Sequence, residues 1–169
     1  MKKTGFTHDS VKNKTVDWYT PKWVFDSLGI KFDLDPCQPE EKIDWIPAVR
    51  HLHINDCGLT GEWFSNENVW LNPPYGKSTK QWLEKLNDHG NGIALVFART
   101  DCKWFQDVCT KADAILFLSG RIKFVDGLCQ TGGSGAGCGS MLVAWGEENV
   151  FALRGMSDKG FYVDMSENY

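Results

Sequence analysis

No C-x-x-C pair occurs among the six cysteines, at positions 37, 57, 102, 109, 129 and 138, and no two histidines stand at zinc-finger spacing. A structural metal site is therefore not expected, and free thiols packed as small hydrophobes are. No apolar run approaches the roughly 20 residues that span a bilayer. Met1-Lys2-Lys3-Thr4-Gly5 leads into polar residues rather than an apolar stretch, so the expectation is a soluble, cytoplasmic chain without a signal peptide. Internal repeats are absent, and no linker is long enough to separate a pair of domains.

What is present is an ordinary globular composition. The 169 residues include eight Trp and ten Phe, with 24% charged, which excludes a disordered or low-complexity polymer. One domain over residues 16–169 is expected, after a loosely ordered segment 1–15. Net charge is −4, but its sign alternates along the chain. Residues 1–23 and 71–123 are basic, whereas 24–70 and 124–169 are acidic. A net acidic protein can still present a local phosphate-facing patch.

Thr20-Pro21 reads as a helix opening, with Thr as N-cap and Pro at the first helical position. Trp23, Val24 and Leu28 would line its inner face and Gly29 would end it. Strands are expected at 30–34, 51–54, 68–71, 93–97, 114–118, 122–125 and 141–145. Ser78-Thr79-Lys80-Gln81 reads as a capping box before a helix carrying Trp82, Leu83 and Leu86. Asp101 would cap another, with Trp104, Phe105 and Val108 inward. Strand and helix alternate through the middle, which predicts an α/β domain: a mostly parallel sheet, helices on both faces and an antiparallel C-terminal strand pair. Ligands of such sheets sit beyond the carboxyl ends of strands. Polar groups fall there at Asp33 to Cys37, Asn55-Asp56, Asn72 to Tyr75 and Arg99 to Asp101.

The most informative segment is Asn72-Pro73-Pro74-Tyr75. Two prolines fix φ and force extended geometry on the residue before each. The Asn72 side-chain oxygen and a proline carbonyl would then form a rigid pair of acceptors, with an aromatic ring two residues on. That arrangement suits a planar group bearing an amino function. A Pro-rich turn with Asn as turn former is the alternative.

This tetrapeptide resembles the (D/N/S)PP(Y/F/W) motif of amino-methyltransferases. Several blocks together resemble the phage-type DNA N6-adenine methyltransferases of the Dam family. They are Thr20-Pro21, Phe32-Asp33-Leu34-Asp35-Pro36-Cys37, Asn55-Asp56-Cys57-Gly58-Leu59 with Trp63, and Asn72 to Tyr75. Arg99-Thr100-Asp101 with Lys103-Trp104-Phe105, and Gly120-Arg121-Ile122-Lys123-Phe124, complete the series. The resemblance covers roughly residues 16–145 and implies a Rossmann-like methyltransferase fold, S-adenosylmethionine as donor and DNA as partner, in the host bacterial cell if phage-encoded.

By that resemblance Asn72 and the Pro73 carbonyl, braced by Pro74, accept hydrogen bonds from the N6 amino group of a flipped-out adenine. Tyr75 stacks on the base. The amino lone pair is thereby localised for in-line attack on the sulfonium methyl, so the protein's task is positioning. Thr20, Pro21, Asp33, Asp35, Pro36 and Asp56 would hold the donor. An acid about 20 residues after the first strand binds a ribose hydroxyl in dinucleotide folds; the resemblance instead sets Asp56 near the donor adenine. Arg99, Lys103, Arg121 and Lys123 would contact DNA phosphates or the target base edge. The glycine-rich loop 132–139 is either a flap that orders on DNA or a slack hairpin connection.

Two features depart from the family pattern. Asp35-Pro36-Cys37-Gln38-Pro39 replaces the usual glycine-rich turn. Only 37 residues separate Asp35 from Asn72, too few for two full helix–strand crossovers, so the donor pocket should be abbreviated. Other planar amino acceptors (RNA adenine, cytosine N4, a glutamine amide) would suit the same clamp. A non-catalytic nucleic-acid-binding module on a degenerate fold would also explain the missing glycines. With no room for a separate recognition domain, specificity would come from loops or from a homodimer.

Overall fold

A computed structural model of the chain describes residues 18–39, 43–53, 56–126 and 136–166. Two strands, β1 (Trp18–Tyr19) and β7 (Val125–Asp126), pair antiparallel as a small separate ribbon. Seven others form the main sheet: β2 Phe32–Asp35, β3 Ala48–His51, β4 Val69–Leu71, β5 Gly92–Phe97, β6 Ala114–Leu118, β8 Ser140–Trp145 and β9 Gly160–Asp164. Their order across the sheet is β3-β2-β4-β5-β8-β6-β9. Strands β2 to β5 pair in parallel, whereas β8 runs antiparallel to both β5 and β6, and β9 antiparallel to β6. The sheet is therefore mixed, half parallel and half antiparallel, not mostly parallel. The physical reason lies in β8, which enters between β5 and β6 after a long connection, and in β9, which returns from a helix onto the open edge of β6.

Helices cover both faces. On one, α1 (Lys22–Leu28) and α4 (Glu147–Gly155) bury Val24, Phe25, Leu28, Ala152 and Leu153 against Trp70, Ile93, Leu95, Leu116 and Leu142. On the other, α2 (Thr79–His89) and α3 (Lys103–Asp107) bury Trp82, Leu83, Leu86 and Phe105 against Val69, Leu71, Ala94, Val96 and Val143. Successive residues of β5 and β8 thus alternate between two cores, which is why both read as continuous apolar runs. Trp70 anchors the first core, with Phe25 edge-on at 4.7 Å and Phe32 tilted at 5.4 Å. Gly92 lets β4 and α2 close on β5, since a Cβ there would meet the Val69 carbonyl at 2.5 Å.

Local details depart from the sequence expectations. Helix α1 begins one residue late: Pro21 is its N-cap, in extended geometry, and Thr20 lies before it. Phe25, not Trp23, completes its buried face, and Trp23 is 40% exposed. Gly29 does end it, in the left-handed region. Ser78 is the N-cap of α2, but its backbone lies in the α region and its side chain makes no cap bond, so the capping box does not form. Asp101 does not cap α3 either; Cys102 occupies that position. Strand β3 lies three residues earlier than 51–54, and the expected strand 122–125 contributes only to the β1–β7 ribbon. Helix α4 and strand β9 were not foreseen. No α-helix intervenes between β2 and β4 among the described residues, in keeping with the short separation of Asp35 from Asn72. The segment 1–15 lies outside the described residues.

Strand β3 is an edge strand, and Arg50 ties it to the chain entering β4. Its guanidinium donates through Nε and Nη2 to Glu67 at 2.9 and 2.7 Å, and the Phe64 N–H donates to the same carboxylate at 2.8 Å. Burial opposes ionisation of Glu67, but Arg50, the Phe64 N–H and His89 outweigh it and hold the carboxyl below its usual range. A carboxyl with a lowered folded pKa stabilises the fold above its unfolded pKa, about 4.3, and loses that contribution as pH falls through the folded value. Arg50 keeps 33% of its side-chain surface in water, which screens the pair. Glu67→Gln is expected to cost about 1–2 kcal/mol at neutral pH. Urea unfolding across pH checks this: the difference from the parent protein should vanish in acid, and a constant difference would contradict an ionised pair.

Candidate active site

Because β2, β3, β4 and β5 are parallel, their carboxyl ends share one edge of the sheet, and β8 starts there. Asp35 ends β2, His51 ends β3, Asn72 follows β4 and Phe97 ends β5; Ser140 opposes Phe97 in register. The alternation of β4, β5 and β8 puts Asn72, Phe97 and Ser140 on the face covered by α1. Only three residues join α1 to β2, so α1 runs back along the sheet and its N-terminus, Thr20-Pro21, lies at this same edge.

Strand β2 reaches the edge through an irregularity. The N–H groups of Asp33 and Leu34 both donate to the Asn68 carbonyl, at 2.8 and 3.3 Å, a pattern of the bulge type. The slip explains why Phe32 and Leu34, two apart, enter opposite cores. It also separates Asp33 from Asp35. Asp33 is exposed and accepts the Asn68 N–H at 2.7 Å, whereas Asp35 is 3% exposed and turned to the α1 face.

Within Asn72-Pro73-Pro74-Tyr75, Pro73 is buried and Pro74 and Tyr75 are exposed. The Tyr75 ring stacks on Phe97, centroids 4.0 Å apart and planes 17° from parallel, and the Arg99 guanidinium lies 5.6 Å over the Phe97 ring. Burial first, then the nearby Cys138 thiol, push the Tyr75 phenol well above its usual range, with Arg99 opposing. The phenolic end is thus the enclosed part of Tyr75, and the residue as a whole stays 43% exposed. Two surface hollows, one lined by Lys80, Glu84 and Asp107 and one by Phe117 and Phe161, include none of residues 72–75.

On the other side of Asn72, the Asp35 carboxylate accepts the Cys37 N–H at 3.1 Å, and its second oxygen stands 3.7 Å from His51 Nδ1. Burial and this carboxylate raise the Cys37 thiol well above its usual range. Four residues at this edge of the sheet carry a buried side-chain atom without a hydrogen-bond partner: Thr20 Oγ, Gln38 Nε2, His51 Nδ1 and Ser140 Oγ. Two more, on Asn68 and Asn149, lie at the opposite end of the strands. Buried polar groups are ordinarily satisfied by protein or by ordered water, so each of these atoms retains capacity for a further hydrogen bond. Pro36 and Pro21 are buried at the same edge. Asp56 is placed differently from the expectation: it is exposed, five residues past the end of β3, and its carboxylate accepts the His53 N–H at 2.8 Å. The residue that does end β3 is His51, which the sequence pattern did not single out because it set the strand three residues late. Among the described residues no group of three His, Cys, Asp or Glu gathers for a metal.

Of the basic residues, Arg99 alone joins the Tyr75–Phe97 stack. Lys103 is 87% exposed with Asp107 at 4.0 Å, and Lys123 is exposed. Arg121 donates to the Ala136 carbonyl at 3.0 Å, while the Ala136 N–H donates to Ile122 at 2.9 Å. These bonds close the base of the connection that carries most of the glycine-rich loop; residues 132–135 of that loop lie outside the described residues.

A mixed α/β domain with this motif on the carboxyl edge of its sheet is consistent with a methyltransferase-like fold. The chain belongs to the Dam family: residues 7–159 match the family described as DNA N-6-adenine-methyltransferase (Dam). It is also similar to a protein of Escherichia phage T1 named DNA N-6-adenine-methyltransferase, with 28% identity over 143 residues, covering 72% of this chain and 57% of that relative. The chain therefore spans little more than half the length of the curated relative it matches. No solved structure matches the chain.

The block from Asp56 to Trp63 owes its place to helix α2. Lys85 Nζ donates to the carbonyls of Gly58, Leu59 and Gly61, and lies 4.6 Å over the Trp63 ring, whose Nε1 donates to Gly58 at 3.0 Å. Three acceptors match the three protons of an ammonium. Gly58 in turn abuts the Pro36 carbonyl, which a Cβ would meet at 2.2 Å. Lys85→Met should leave the Leu59 and Gly61 carbonyls without this donor, the Gly58 carbonyl keeping the Trp63 Nε1–H, at a cost of about 1–3 kcal/mol. Thermal unfolding measures the loss, and an unshifted midpoint would show the turn to be held by other contacts.

Proposed function

We propose that this chain is an S-adenosylmethionine-dependent methyltransferase acting on N6 of adenine in DNA. The reading is carried by one observation: Asn72-Pro73-Pro74-Tyr75 follows a buried parallel strand, and its tyrosine lies on Phe97 beside Arg99. Family membership supports it.

The target adenine leaves the duplex, because its amino group cannot reach the sheet edge while stacked and paired. Asn72 Oδ1 and the Pro73 carbonyl accept its two amino protons. Tyr75, neutral at every physiological pH, offers its free face to the base. Arg99, over Phe97, can meet a flanking phosphate. The N6 lone pair, less delocalised once both protons are held, attacks a methyl carbon as the carbon–sulfur bond breaks. The sulfur would leave as a neutral thioether and one amino proton would pass to solvent water, so the new C–N bond leaves a neutral amine.

Bound S-adenosylmethionine supplies that methyl group on a sulfonium, already activated for transfer. The residues present suit it. Thr20 Oγ is a buried, partnerless hydroxyl that can donate to a carboxylate, and Asp35 with His51 offers an acceptor and an imidazole to polar groups of a nucleoside. Pro21 and Pro36 wall the same region. Asp33 and Asp56, each bound to a backbone N–H, serve the framework around it.

Incubation with radiolabelled S-adenosylmethionine and DNA, followed by nucleoside analysis, tests the reading, and label is expected in N6-methyladenine. Label in N4-methylcytosine would redirect it to another amino acceptor, and no heat of donor binding by calorimetry would leave a non-catalytic module. Asn72→Ala should lower turnover at least about 100-fold, by analogy with loss of one oriented hydrogen-bonding group. Donor affinity and thermal midpoint should stay near those of the parent. Near-parental turnover would remove the clamp.

A further inference from the structure

The Asn72–Tyr75 turn holds two consecutive residues that lack an N–H, so its carbonyls outnumber its donors. Helix α2 makes up some of that deficit with a side chain. Thr79, 3% exposed at the first position of the helix, donates through Oγ to the Pro74 carbonyl at 3.1 Å and accepts the Gly76 N–H at 2.9 Å. Its own N–H donates to the Gly76 carbonyl at 3.3 Å. Gly76, at φ 145°, makes the reversal between them. One hydroxyl therefore fastens both sides of the loop that leaves the motif. The helix it belongs to is fixed in the core by Trp82, Leu83 and Leu86. These bonds replace the capping box that the local sequence suggests.

We propose that Thr79 is a positioning residue for methyl transfer, a role that rests on the function proposed above. By engaging the Pro74 carbonyl it fixes the orientation of that peptide plane. The plane is shared between Pro74 and Tyr75, so its setting governs where the Tyr75 ring lies and how the Pro73 carbonyl and Asn72 side chain stand relative to it. A second consequence concerns selection among acceptors. The Pro74 carbonyl, one residue past the intended acceptor, is taken by Thr79 and does not compete for the amino protons. Thr79 acts only through Pro74 and Gly76. Its loss should therefore disturb the geometry of transfer rather than the binding of the donor, whose candidate ligands lie on β2, β3 and the start of α1.

Thr79→Val keeps the shape and removes both side-chain bonds, and Thr79→Ser keeps the hydroxyl. With the full chain, labelled donor and DNA, the valine variant should lose about 100-fold in kcat, the penalty of displacing reacting groups by about 1 Å. Its KM for the donor and its calorimetric donor affinity should be unchanged. The serine variant should recover most of the turnover. Amide exchange at Gly76, read by NMR, should quicken in the valine variant and not in the serine variant. Should the valine variant fail to fold, Thr79→Cys, a weak donor of similar size, carries the same expectations. Parental kcat in the variant lacking the hydroxyl overturns the proposal, as does a parallel loss of kcat and donor affinity, or a serine variant no better than valine. If the parent protein binds the donor yet methylates no DNA, the function proposed above fails and the positioning role falls with it. Full activity of Thr79→Val withdraws the positioning role alone.

Discussion

Parallel pairing of four strands is the constraint from which the site follows. A parallel ladder sends every carboxyl end the same way, so groups far apart in sequence (Asp35, His51, Asn72 and Phe97) meet along one sheet edge without any contact between their own side chains being needed to bring them there. The antiparallel half of the sheet contributes by closure: β8 runs back from that edge, so its first residue, Ser140, pairs with Phe97 at the end of β5. A sheet antiparallel throughout would have divided these groups between two opposite edges.

Within that frame the face matters as much as the edge. The slip at Asp33 and Leu34 turns Asp35 toward α1, the side to which alternation also brings Asn72 and Phe97. Asp33 is left to hold the backbone of Asn68. Two carboxylates that look equivalent in Asp-Leu-Asp are thus given different work by one shared carbonyl. The polar atoms left unsatisfied around Asp35 fit the same picture, since burying a hydroxyl or imidazole nitrogen without a partner costs free energy that a bound polar ligand would restore.

Helix α2 couples the two halves of the site. Its first residue, Thr79, fastens the loop after Asn72–Tyr75, and further along the helix Lys85 holds the turn that abuts Pro36. The stretch between β2 and β4 has no α-helix of its own among the described residues, and its turn at Gly58 to Gly61 is held by a neighbour's side chain. This is the structural counterpart of the shortened spacing between Asp35 and Asn72.

Much of this was legible in the chain. The continuous apolar runs at 93–97 and 114–118, the helix with Trp82, Leu83 and Leu86, and the strand before Asn72 are local patterns, and local pattern decides such elements. The motif itself was legible because two prolines stiffen a backbone whatever surrounds them. Ser78 does stand at the cap of α2 but in α-region backbone geometry without a side-chain cap bond, and Cys102 rather than Asp101 takes the cap of α3, choices that short sequence windows do not record. His51 was missed because the strand carrying it has one exposed face and an edge position, where alternation is weak. The insertion of β8 between β5 and β6, the slip in β2 and the stacking of Tyr75 on Phe97 were decided by the tertiary structure alone. Each depends on contacts between segments tens of residues apart, and the sequence determines only the local preferences that those contacts then select among.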